Sequence, residues 1–322
     1  MRARIVTVLC VVVLAAAGCG SSSVPPPSVV IAPVDAQPSG AQEITTAPVA
    51  ASADCGDREA SLRPGPLPTP GAMPPGSPMA AIAERGRLIV GVDQNTYLFG
   101  YRNPATGQLE GFDIDVAREM ARSIFGDPDR IDLRVVEAGQ RESALEKGEV
   151  DLVARTYSIT CERKKIVAFS TTYFNAVQKI LAVKGSGIDS AAKLAGKRVC
   201  AATGTTSLKA LLALESKPKV FGVTSWTDCL VMLQQGQVDA VSTDDVVLTG
   251  LARQDPNVEV VGDSIAIEPY GIGAKLENTD LVRFVNGVLD RMRDDGTWQR
   301  LYDANLRSLG PAPEPPTPRY QD

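Results

Sequence analysis

Two stretches of the chain repeat one pattern of residues. "KGEVDLVART" (147–156) and "QGQVDAVSTD" (235–244) each carry a helix-ending glycine, then Val-Asp, then a short apolar run followed by polar residues. Around both stretches, apolar runs alternate with helical patterns in the order strand, helix, strand, helix, strand. Such alternation predicts an α/β fold with parallel strands. Ten similar residues can arise by chance, but the matched order of elements favours two equivalent lobes.

The ends of the predicted strands place polar residues together. Ligands of open α/β sheets bind beyond the carboxyl ends of the strands. Arg155 and Thr156 leave one strand, and Thr243 and Asp244 leave its counterpart in the other repeat. We therefore expect a cleft with a donor-rich wall and an acceptor wall, with ordinary polar loops as the alternative. The predicted strands are 87–92, 131–138, 150–154, 197–202, 219–225 and 238–242, and the predicted helices are 112–126, 141–148, 205–215 and 228–236.

The N-terminus has the features of an export signal. Arg2 and Arg4 precede an apolar run too short for a permanent membrane span, which ends in AAAGC. Small residues before Cys19 favour a lipoprotein signal peptide (1–18). Acylated Cys19 would then anchor the protein at the extracytoplasmic face of the cell membrane. Secretion without acylation is the alternative.

Residues 19–78 are rich in Pro, Ser and Ala. This composition buries too little apolar surface to fold, so it predicts a lipid-anchored, extended tether. The Pro-rich tail at 310–322 is also expected to be extended. Roughly 230 residues remain between them, enough for two modest lobes.

The chain contains no histidine. No Ser-His or Cys-His nucleophile can be assembled, and a zinc site of the usual kind lacks ligands. We expect no metal, no cofactor and no enzymatic activity. The net charge is -5 with no basic stripe, so nucleic acid is not an expected partner.

Four cysteines remain when Cys10 is assigned to the signal and Cys19 to the anchor. They are Cys55, Cys161, Cys200 and Cys229. An even number of thiols in an oxidising compartment suggests two disulfides. Four cysteines allow three pairings, and all three stay open at this point.

A carboxylate clamp is predicted from two segments. "RTYSITCERKK" (155–165) contains Arg163, whose guanidinium can pair with two oxygens at once. "ATGTTSLKALL" (202–212) places a turn at Gly204 before a helix that Thr205 or Thr206 can cap. The free N–H groups and partial positive charge of that helix N-terminus suit a carboxylate.

Asp244 is the complementary acceptor for an ammonium group, so the two walls together fit an α-amino acid zwitterion. The alternative role for Asp244 is helix capping, which Asp245 can also fill. Tyr97 follows the first strand and can stack over a ligand's aliphatic part. Phe99 and Tyr101 are equally suitable by type, and any of the three can instead belong to the core.

Five stretches together have the pattern of a known family: "GQLEGFDIDVAREMA" (107–121), "VDLVARTYSITCERKKIVAFSTTYF" (150–174), "GKRVCAATGTTSLKAL" (196–211), "GQVDAVSTDD" (236–245) and "DGTWQRLYDANL" (295–306). In this order they resemble the extracytoplasmic solute-binding proteins for polar amino acids that serve ABC importers. The resemblance spans residues 85–305. The N-terminal signal, the Pro-rich tether and the two cysteine-bearing segments are similar to glutamine- or glutamate-binding lipoproteins of mycobacteria and related actinobacteria.

The resemblance implies a type II periplasmic-binding-protein fold, in which two Rossmann-like lobes are joined by two hinge strands near 175–180 and 265–270. Lobe 1 would comprise 79–177 and 268–309, and lobe 2 would comprise 178–267. The protein would be a monomer that captures an amino acid between the lobes and delivers it to a membrane permease. A ligand-sensing subunit that signals to a membrane kinase is the alternative, and an enzyme on the same scaffold is a less favoured one.

The resemblance also implies roles for individual residues. Arg163 with Thr205 and Thr206 would hold the α-carboxylate, and Tyr97 would be the stacking aromatic. Asp244 would hold the α-ammonium, assisted by Thr156 and Ser158.

Arg155 stands where many relatives have a small residue, so it favours glutamate or aspartate over glutamine or asparagine. The alternative is that Arg155 pairs with Asp151, Glu162 or another acid of the protein. Arg102, Arg141 and Lys179 are further candidate cations. The resemblance further suggests the disulfide Cys200–Cys229, which leaves Cys55 to pair with Cys161.

Overall fold

The computed structural model describes residues 37–46 and 54–322. The strands are β1 (Gln42–Ile44), β2 (Leu88–Val92), β3 (Asn95–Thr96), β4 (Gly100–Arg102), β5 (Leu109–Glu110), β6 (Ile131–Val135), β7 (Leu152–Val153), β8 (Val167–Phe169), β9 (Phe174–Val183), β10 (Arg198–Ala202), β11 (Lys219–Val223), β12 (Ala240–Asp244), β13 (Val258–Tyr270) and β14 (Gly273–Lys275). The α-helices are α1 (Pro78–Arg85), α2 (Phe112–Phe125), α3 (Arg141–Glu146), α4 (Thr206–Ala213), α5 (Trp226–Gln234), α6 (Asp245–Ala252), α7 (Thr279–Asp294) and α8 (Thr297–Asn305).

Two sheets carry the repeat that the sequence predicts. Lobe 1 contains a five-stranded sheet in the order β6-β2-β7-β14-β8, and lobe 2 a six-stranded sheet in the order β1-β11-β10-β12-β9-β13. In each lobe the first strand of the repeat lies between the second and the third and is parallel to both. The matched topology confirms the predicted α/β fold of two equivalent lobes. The exact limits of the lobes along the chain remain a prediction.

The repeated Val-Asp pair makes equivalent contacts in both lobes. Val150 and Val238 are buried. The Asp151 carboxylate accepts a hydrogen bond from the backbone N–H of Ile89 (2.8 Å), and Asp239 accepts one from that of Arg198 (2.8 Å). The carboxylate thus ties the third strand of each repeat to the first. The residues therefore recur because the same strand junction recurs.

The predicted helix at 112–126 shows how the pattern dictates packing. Its buried residues include Phe112, Val116, Met120 and Ile124, which are spaced by four residues and form one face. The helix ends at Gly126, which has a φ of 75°. Amphipathic periodicity and a left-handed glycine therefore explain this element fully.

The predicted hinge segments lie in β9 and β13, the two longest strands. They pair in antiparallel fashion, with Asn175 opposite Pro269 and Gln178 opposite Ala266. β9 follows β8 of lobe 1 and β13 precedes β14 of lobe 1, so the chain crosses between the sheets at adjacent points. Rotation of the lobes about these strands remains a prediction.

The prediction of an extended tether over 19–78 is wrong for the part that the structure describes. Residues 42–44 form β1, an edge strand antiparallel to β11. Ser61 is buried, and the amide of Asn286 on α7 donates hydrogen bonds to its hydroxyl (2.9 Å) and to the Leu62 carbonyl (2.7 Å). The composition argument failed because such a segment can fill grooves of a domain without forming a core of its own.

The C-terminal tail is extended, as expected, and lies on lobe 1. Ser61 forms a parallel bridge with Tyr320. The Tyr320 hydroxyl donates to Asp290 (2.6 Å), and Arg293 donates to the Pro316 carbonyl (3.0 Å). Both terminal segments therefore pack against α7.

Both disulfides suggested by the resemblance are present, Cys55–Cys161 and Cys200–Cys229. The second is fully buried within lobe 2. The first joins the N-terminal segment to the loop that carries Arg163. No helix within 37–46 or 54–322 has the length and apolarity to cross a membrane. The predicted signal peptide and Cys19 lie outside the described residues.

Replacing Cys55 and Cys161 with alanine should lower the free energy of unfolding by about 4 kcal/mol, because the bond closes a long loop of the unfolded chain. The loop spans a sequence separation of 106 residues. Urea unfolding measures the loss, and trypsin should then cleave after Arg58 in the folded protein. A Cys200→Ala, Cys229→Ala protein is the control, in which this cleavage should stay slow. Unchanged stability and cleavage in the first variant would contradict the assigned role.

Candidate ligand-binding site

A pocket lies where the polar strand ends of the two lobes meet. Six of its lining residues were predicted as ligand-binding: Arg155, Thr156, Ser158, Thr205, Thr206 and Asp244. The others are Arg141, Ser207, Trp226, Thr243 and Val247. The predicted cleft with a donor wall and an acceptor wall is therefore present in the fold.

The loop after β7 presents its side chains through a strained turn. Thr156 has a φ of 37°, in the left-handed region that β-branched residues rarely adopt. Its N–H donates to the buried carboxylate of Asp113 on α2 (2.8 Å), which also accepts from the Tyr173 hydroxyl (2.6 Å). Burial raises the pKa of Asp113 to about 7. Asp113 therefore fixes the turn that orients Thr156 and Ser158.

Arg155 is buried in the donor wall with its guanidinium partly committed. Nη2 lies 3.1 Å from the Asp93 carboxylate and 3.9 Å from that of Glu137. Nε is also buried and has no hydrogen-bond acceptor in the described chain. The pairing with Asp93 matches the alternative of an acid of the protein. The unpaired Nε leaves one donor at the pocket.

Arg141 is a cation of the pocket that has no carboxylate within 4 Å among the described residues. It is 3% exposed, and its donors meet the carbonyl oxygens of Ala138 (2.8 Å), Arg155 (3.3 Å) and Gly204 (3.3 Å). Burial, together with the nearby Arg163 and Arg155, lowers the pKa of Arg141 to about 9. The pocket therefore contains a buried guanidinium without a direct ionic partner in the described chain.

Arg163 lies beside the pocket rather than in its lining. Nε donates to Glu142 (3.1 Å), Nη1 to the Ser158 carbonyl (2.8 Å) and Nη2 to the Gly204 carbonyl (3.0 Å). A guanidinium has five N–H donors. One N–H on each terminal nitrogen is thus still uncommitted within the described chain, which preserves the capacity for a bidentate contact.

Gly204 brings the two lobes into contact. It has a φ of 73°, and a Cβ added there would lie 2.4 Å from the Cα of Gly139 in lobe 1. Position 204 therefore requires glycine, whereas a Cβ at Gly139 would meet only ordinary van der Waals contacts. The Gly204 carbonyl accepts from Arg141 and Arg163, which both belong to lobe 1. The lobes are therefore closed upon each other at this point.

The turn after Gly204 begins α4 as the sequence predicts. Of the two candidate caps it is Thr205 whose hydroxyl accepts from the backbone N–H of Leu208 (3.2 Å). The Thr206 hydroxyl instead donates to Glu268 on hinge strand β13 (2.8 Å). The helix N-terminus faces the pocket with Thr205, Thr206 and Ser207.

Asp244 occupies the acceptor wall and is 5% exposed. Its carboxylate accepts from the Tyr270 hydroxyl and from Ser207 (3.5 Å), and it forms no ion pair with any described residue. Burial, with the Glu268 carboxylate nearby, raises the pKa of Asp244 to about 8. Asp244 is the N-cap residue of α6 but its side chain makes no capping hydrogen bond, and the carboxylate of Asp245, the first residue of the helix, accepts from the Val246 N–H (2.9 Å). The Asp244 side chain is therefore free of capping and available to a ligand.

The predicted stacking aromatic is not part of the pocket lining. The Tyr97 ring lies 4.8 Å from that of Tyr101, and its backbone approaches Gly250 of α6. Phe99 is fully buried in the core. Trp226 of α5 is the aromatic residue that lines the pocket.

Sequence reasoning missed several residues of the site. Asp93 directly follows β2, so the rule of strand carboxyl ends would have identified it. Arg141 was one of three further candidate cations rather than an assigned site residue, because a charged residue at a predicted helix start is usually exposed. Trp226 and Val247 lie on helices, where an apolar residue is normally assigned to the core.

Asp244→Asn should raise the melting temperature of the ligand-free protein, and the gain should grow with pH. An aspartate whose pKa rises on folding favours the folded state at low pH and loses this contribution between its unfolded pKa, near 4, and its folded pKa of about 8. We expect an increase of about 3 °C or more at pH 8 and a smaller one at pH 5. Differential scanning calorimetry measures both. The exposed Asp263→Asn is the control, and a gain at pH 8 no larger than at pH 5 would contradict the assignment.

Comparison with known proteins identifies the family of the chain. Residues 88–307 match the family model described as bacterial extracellular solute-binding proteins, family 3. The ABC transporter glutamine-binding protein GlnH of Bacillus subtilis is 36% identical over 225 residues, which cover 70% of this chain and 82% of that protein. The glutamate-binding protein GluB of Corynebacterium glutamicum is 32% identical over 243 residues, covering 72% and 82%.

Solved structures agree with the family match. The solute receptor for L-cysteine of Neisseria gonorrhoeae superposes with a TM-score of 0.68 at 28% identity, covering 72% of this chain and 94% of the receptor. An ancestral arginine-binding protein bound to arginine gives 0.63 at 34% identity, covering 69% and 99%. These are solute-binding proteins rather than enzymes. The chain belongs to family 3 of the bacterial extracellular solute-binding proteins and has their type II periplasmic-binding-protein fold.

Proposed function

We propose that the protein captures a polar α-amino acid between its two lobes and delivers it to an ABC permease. The relatives named as glutamine- and glutamate-binding proteins support the ligand class, and one of them is named as part of an ABC transporter. The proposal needs no chemical step. Binding stabilises a closed arrangement of the lobes, and the permease distinguishes this arrangement from the ligand-free form.

Asp244 carries the proposal. A carboxylate buried to this degree is costly unless a cation pairs with it or a proton neutralises it. The described chain offers it two hydroxyl groups but no cation. The α-ammonium of an amino acid supplies the missing charge, with Thr156 and Ser158 as additional oxygen partners on the facing lobe.

The α-carboxylate has its partners around the N-terminus of α4. Arg163 retains one uncommitted N–H on each terminal nitrogen, and Thr205 and Thr206 lie at the start of the helix. Helix N–H groups and a guanidinium both favour an anion. We assign the α-carboxylate to a position between Arg163 and the N-terminus of α4. It contacts the Arg163 guanidinium there when the Gly204 carbonyl, which accepts from Arg163 in this structure, moves aside.

Arg141, the guanidinium without an ion pair in the described chain, selects the side chain. Arg155 pairs with Asp93 and Arg163 pairs with Glu142, whereas Arg141 has no carboxylate within 4 Å among the described residues. An acidic side chain gives Arg141 an ionic partner, and Nε of Arg155 also lacks an acceptor in the described chain. Glutamate or aspartate therefore fits better than glutamine or asparagine.

The location of the protein follows from its family and its N-terminus. The family is extracellular. We propose acylation at Cys19, which would hold a monomer at the extracytoplasmic face of the cell membrane within reach of the permease.

A thermal-shift panel of the twenty amino acids against ligand-stripped protein tests the proposal. Ligand at a hundred times its Kd stabilises a protein by about 2.7 kcal/mol, which raises the melting temperature by several degrees. We expect a response to glutamate and aspartate, with glutamine and asparagine weaker. No response to any amino acid would contradict the proposal.

Arg155→Gln should change the selectivity, whereas Arg163→Ala should weaken all ligands alike. The first variant removes the partner of the side-chain carboxylate, so affinity for glutamate should fall at least tenfold while that for glutamine changes little, a difference of about 1.4 kcal/mol or more. The second removes the partner of the shared α-carboxylate, at about 2–5 kcal/mol. Calorimetric titration measures both, with the exposed Arg134→Gln as control. Equal losses for glutamate and glutamine in Arg155→Gln would refute the assigned selectivity.

A further inference from the structure

A second cavity of about 450 Å³ lies against the hinge and shares no lining residue with the candidate pocket. Phe174 and Asn175 at the start of β9 line it, together with Asp245 and Thr249 of α6. Trp298 and Tyr302 of α8 face it as well, and the C-terminal tail closes one side with Pro313, Glu314 and Pro316. Elements of both lobes therefore contribute to its wall.

The charged groups that line this cavity are both acidic. Asp245 and Glu314 are carboxylates, and no lysine or arginine belongs to the lining. Oδ1 of Asp245 accepts from the backbone N–H groups of Val177 (3.2 Å) and Val246 (2.9 Å). Its Oδ2 has no hydrogen-bond partner within the described residues. A half-buried carboxylate oxygen is thus available to a ligand.

Tyr302 provides a second, independent observation. The residue is only 4% exposed, yet its hydroxyl has no hydrogen-bond partner in the described part of the chain. Its ring stacks on those of Trp298 (5.5 Å, 28°) and Phe174 (6.5 Å, 15°), so neighbouring aromatic rings fix its position. The hydroxyl oxygen itself is accessible from the cavity that the residue lines, and a ligand can bond to it there.

We propose that the cavity is a binding site for a small organic ammonium ion. Asp245 pairs with the ammonium group, and the Tyr302 oxygen accepts a second hydrogen bond from it. The aliphatic body of the ligand packs against Phe174, Val246 and the tail prolines. Aromatic rings and carboxylates together favour an organic cation. No group of three or more acidic or cysteine side chains that suits a metal ion occurs in the described ranges.

Occupation of this site changes the balance between arrangements of the lobes. A ligand that contacts both α6 of lobe 2 and α8 of lobe 1 loses some of these contacts when the lobes rotate. Its affinity therefore differs between open and closed forms, and it is linked reciprocally to binding at the candidate pocket. This linkage, unlike the site itself, depends on the proposed function.

Titration with n-butylammonium chloride tests the site directly. Backbone amide NMR spectra of the full chain are recorded up to about 10 mM ligand, with n-butanol as the uncharged analogue and sodium chloride as the salt control. We expect saturable shifts at Asn175 and Thr249 with butylammonium and at least tenfold weaker binding of butanol. Asp245→Asn should weaken butylammonium at least tenfold, and Tyr302→Phe should weaken it by a smaller factor.

Two further variants separate this site from other acidic groups. Asp244→Asn should leave the shifts at Asn175 and Thr249 in place, because Asp244 lines only the candidate pocket. The exposed Asp303→Asn removes a charge beside Tyr302 without touching the lining and should bind normally. Equal binding of butanol, no saturable shifts, or unchanged affinity in both Asp245→Asn and Tyr302→Phe would each overturn the proposal. Loss of the shifts in Asp244→Asn alone would do so too, because it would place the ammonium in the candidate pocket.

Discussion

The site depends on two ionisable groups, one basic and one acidic, that the fold buries without ionic partners in the described chain. Arg141 of lobe 1 satisfies its donors with carbonyl oxygens, and Asp244 of lobe 2 receives only hydroxyl groups. Arg141 lowers the pKa of Asp244, but burial and Glu268 raise it by more. Such groups destabilise a folded protein. A ligand that carries both charges relieves both costs at once.

The surroundings hold these charges in place at some cost. Thr156 adopts a left-handed backbone conformation that the Asp113 carboxylate maintains. Position 204 tolerates no side chain, because Gly204 lies directly against Gly139. The core of each lobe, the two disulfides and the terminal segments packed on α7 supply the stability that offsets this strain. Stability and binding therefore oppose each other at Asp244, where the neutral amide favours the fold and the carboxylate favours the ligand.

Much of the architecture could be predicted because the relevant forces are local and periodic. The Val-Asp repeat identified both lobes, and the rule of strand carboxyl ends identified Arg155 and Asp244. The pairing of these residues could not be predicted: Asp93 follows a predicted strand and Arg141 was one of three further candidate cations, but which groups meet at the pocket depends on the three-dimensional course of β2 and α3. The N-terminal segment was predicted wrongly because its composition says nothing of a groove on α7 that accepts Ser61. Tyr97 was predicted to stack on the ligand, but its ring does not line the pocket. Residue type and sequence spacing could not fix the position of this ring.

The most direct test of the account is the number of protons released when L-glutamate binds. Calorimetric titration at pH 7 in two buffers of different ionisation enthalpy gives this number. Burial and the nearby Glu268 carboxylate raise the pKa of Asp244 above its ordinary range, to about 8, so this carboxyl group binds protons near neutral pH and must release them to hold the ammonium group. The account predicts net proton release when the wild-type protein binds the ligand, and none in Asp244→Asn. Binding without proton release in the wild-type protein would contradict the central role of this buried carboxylate.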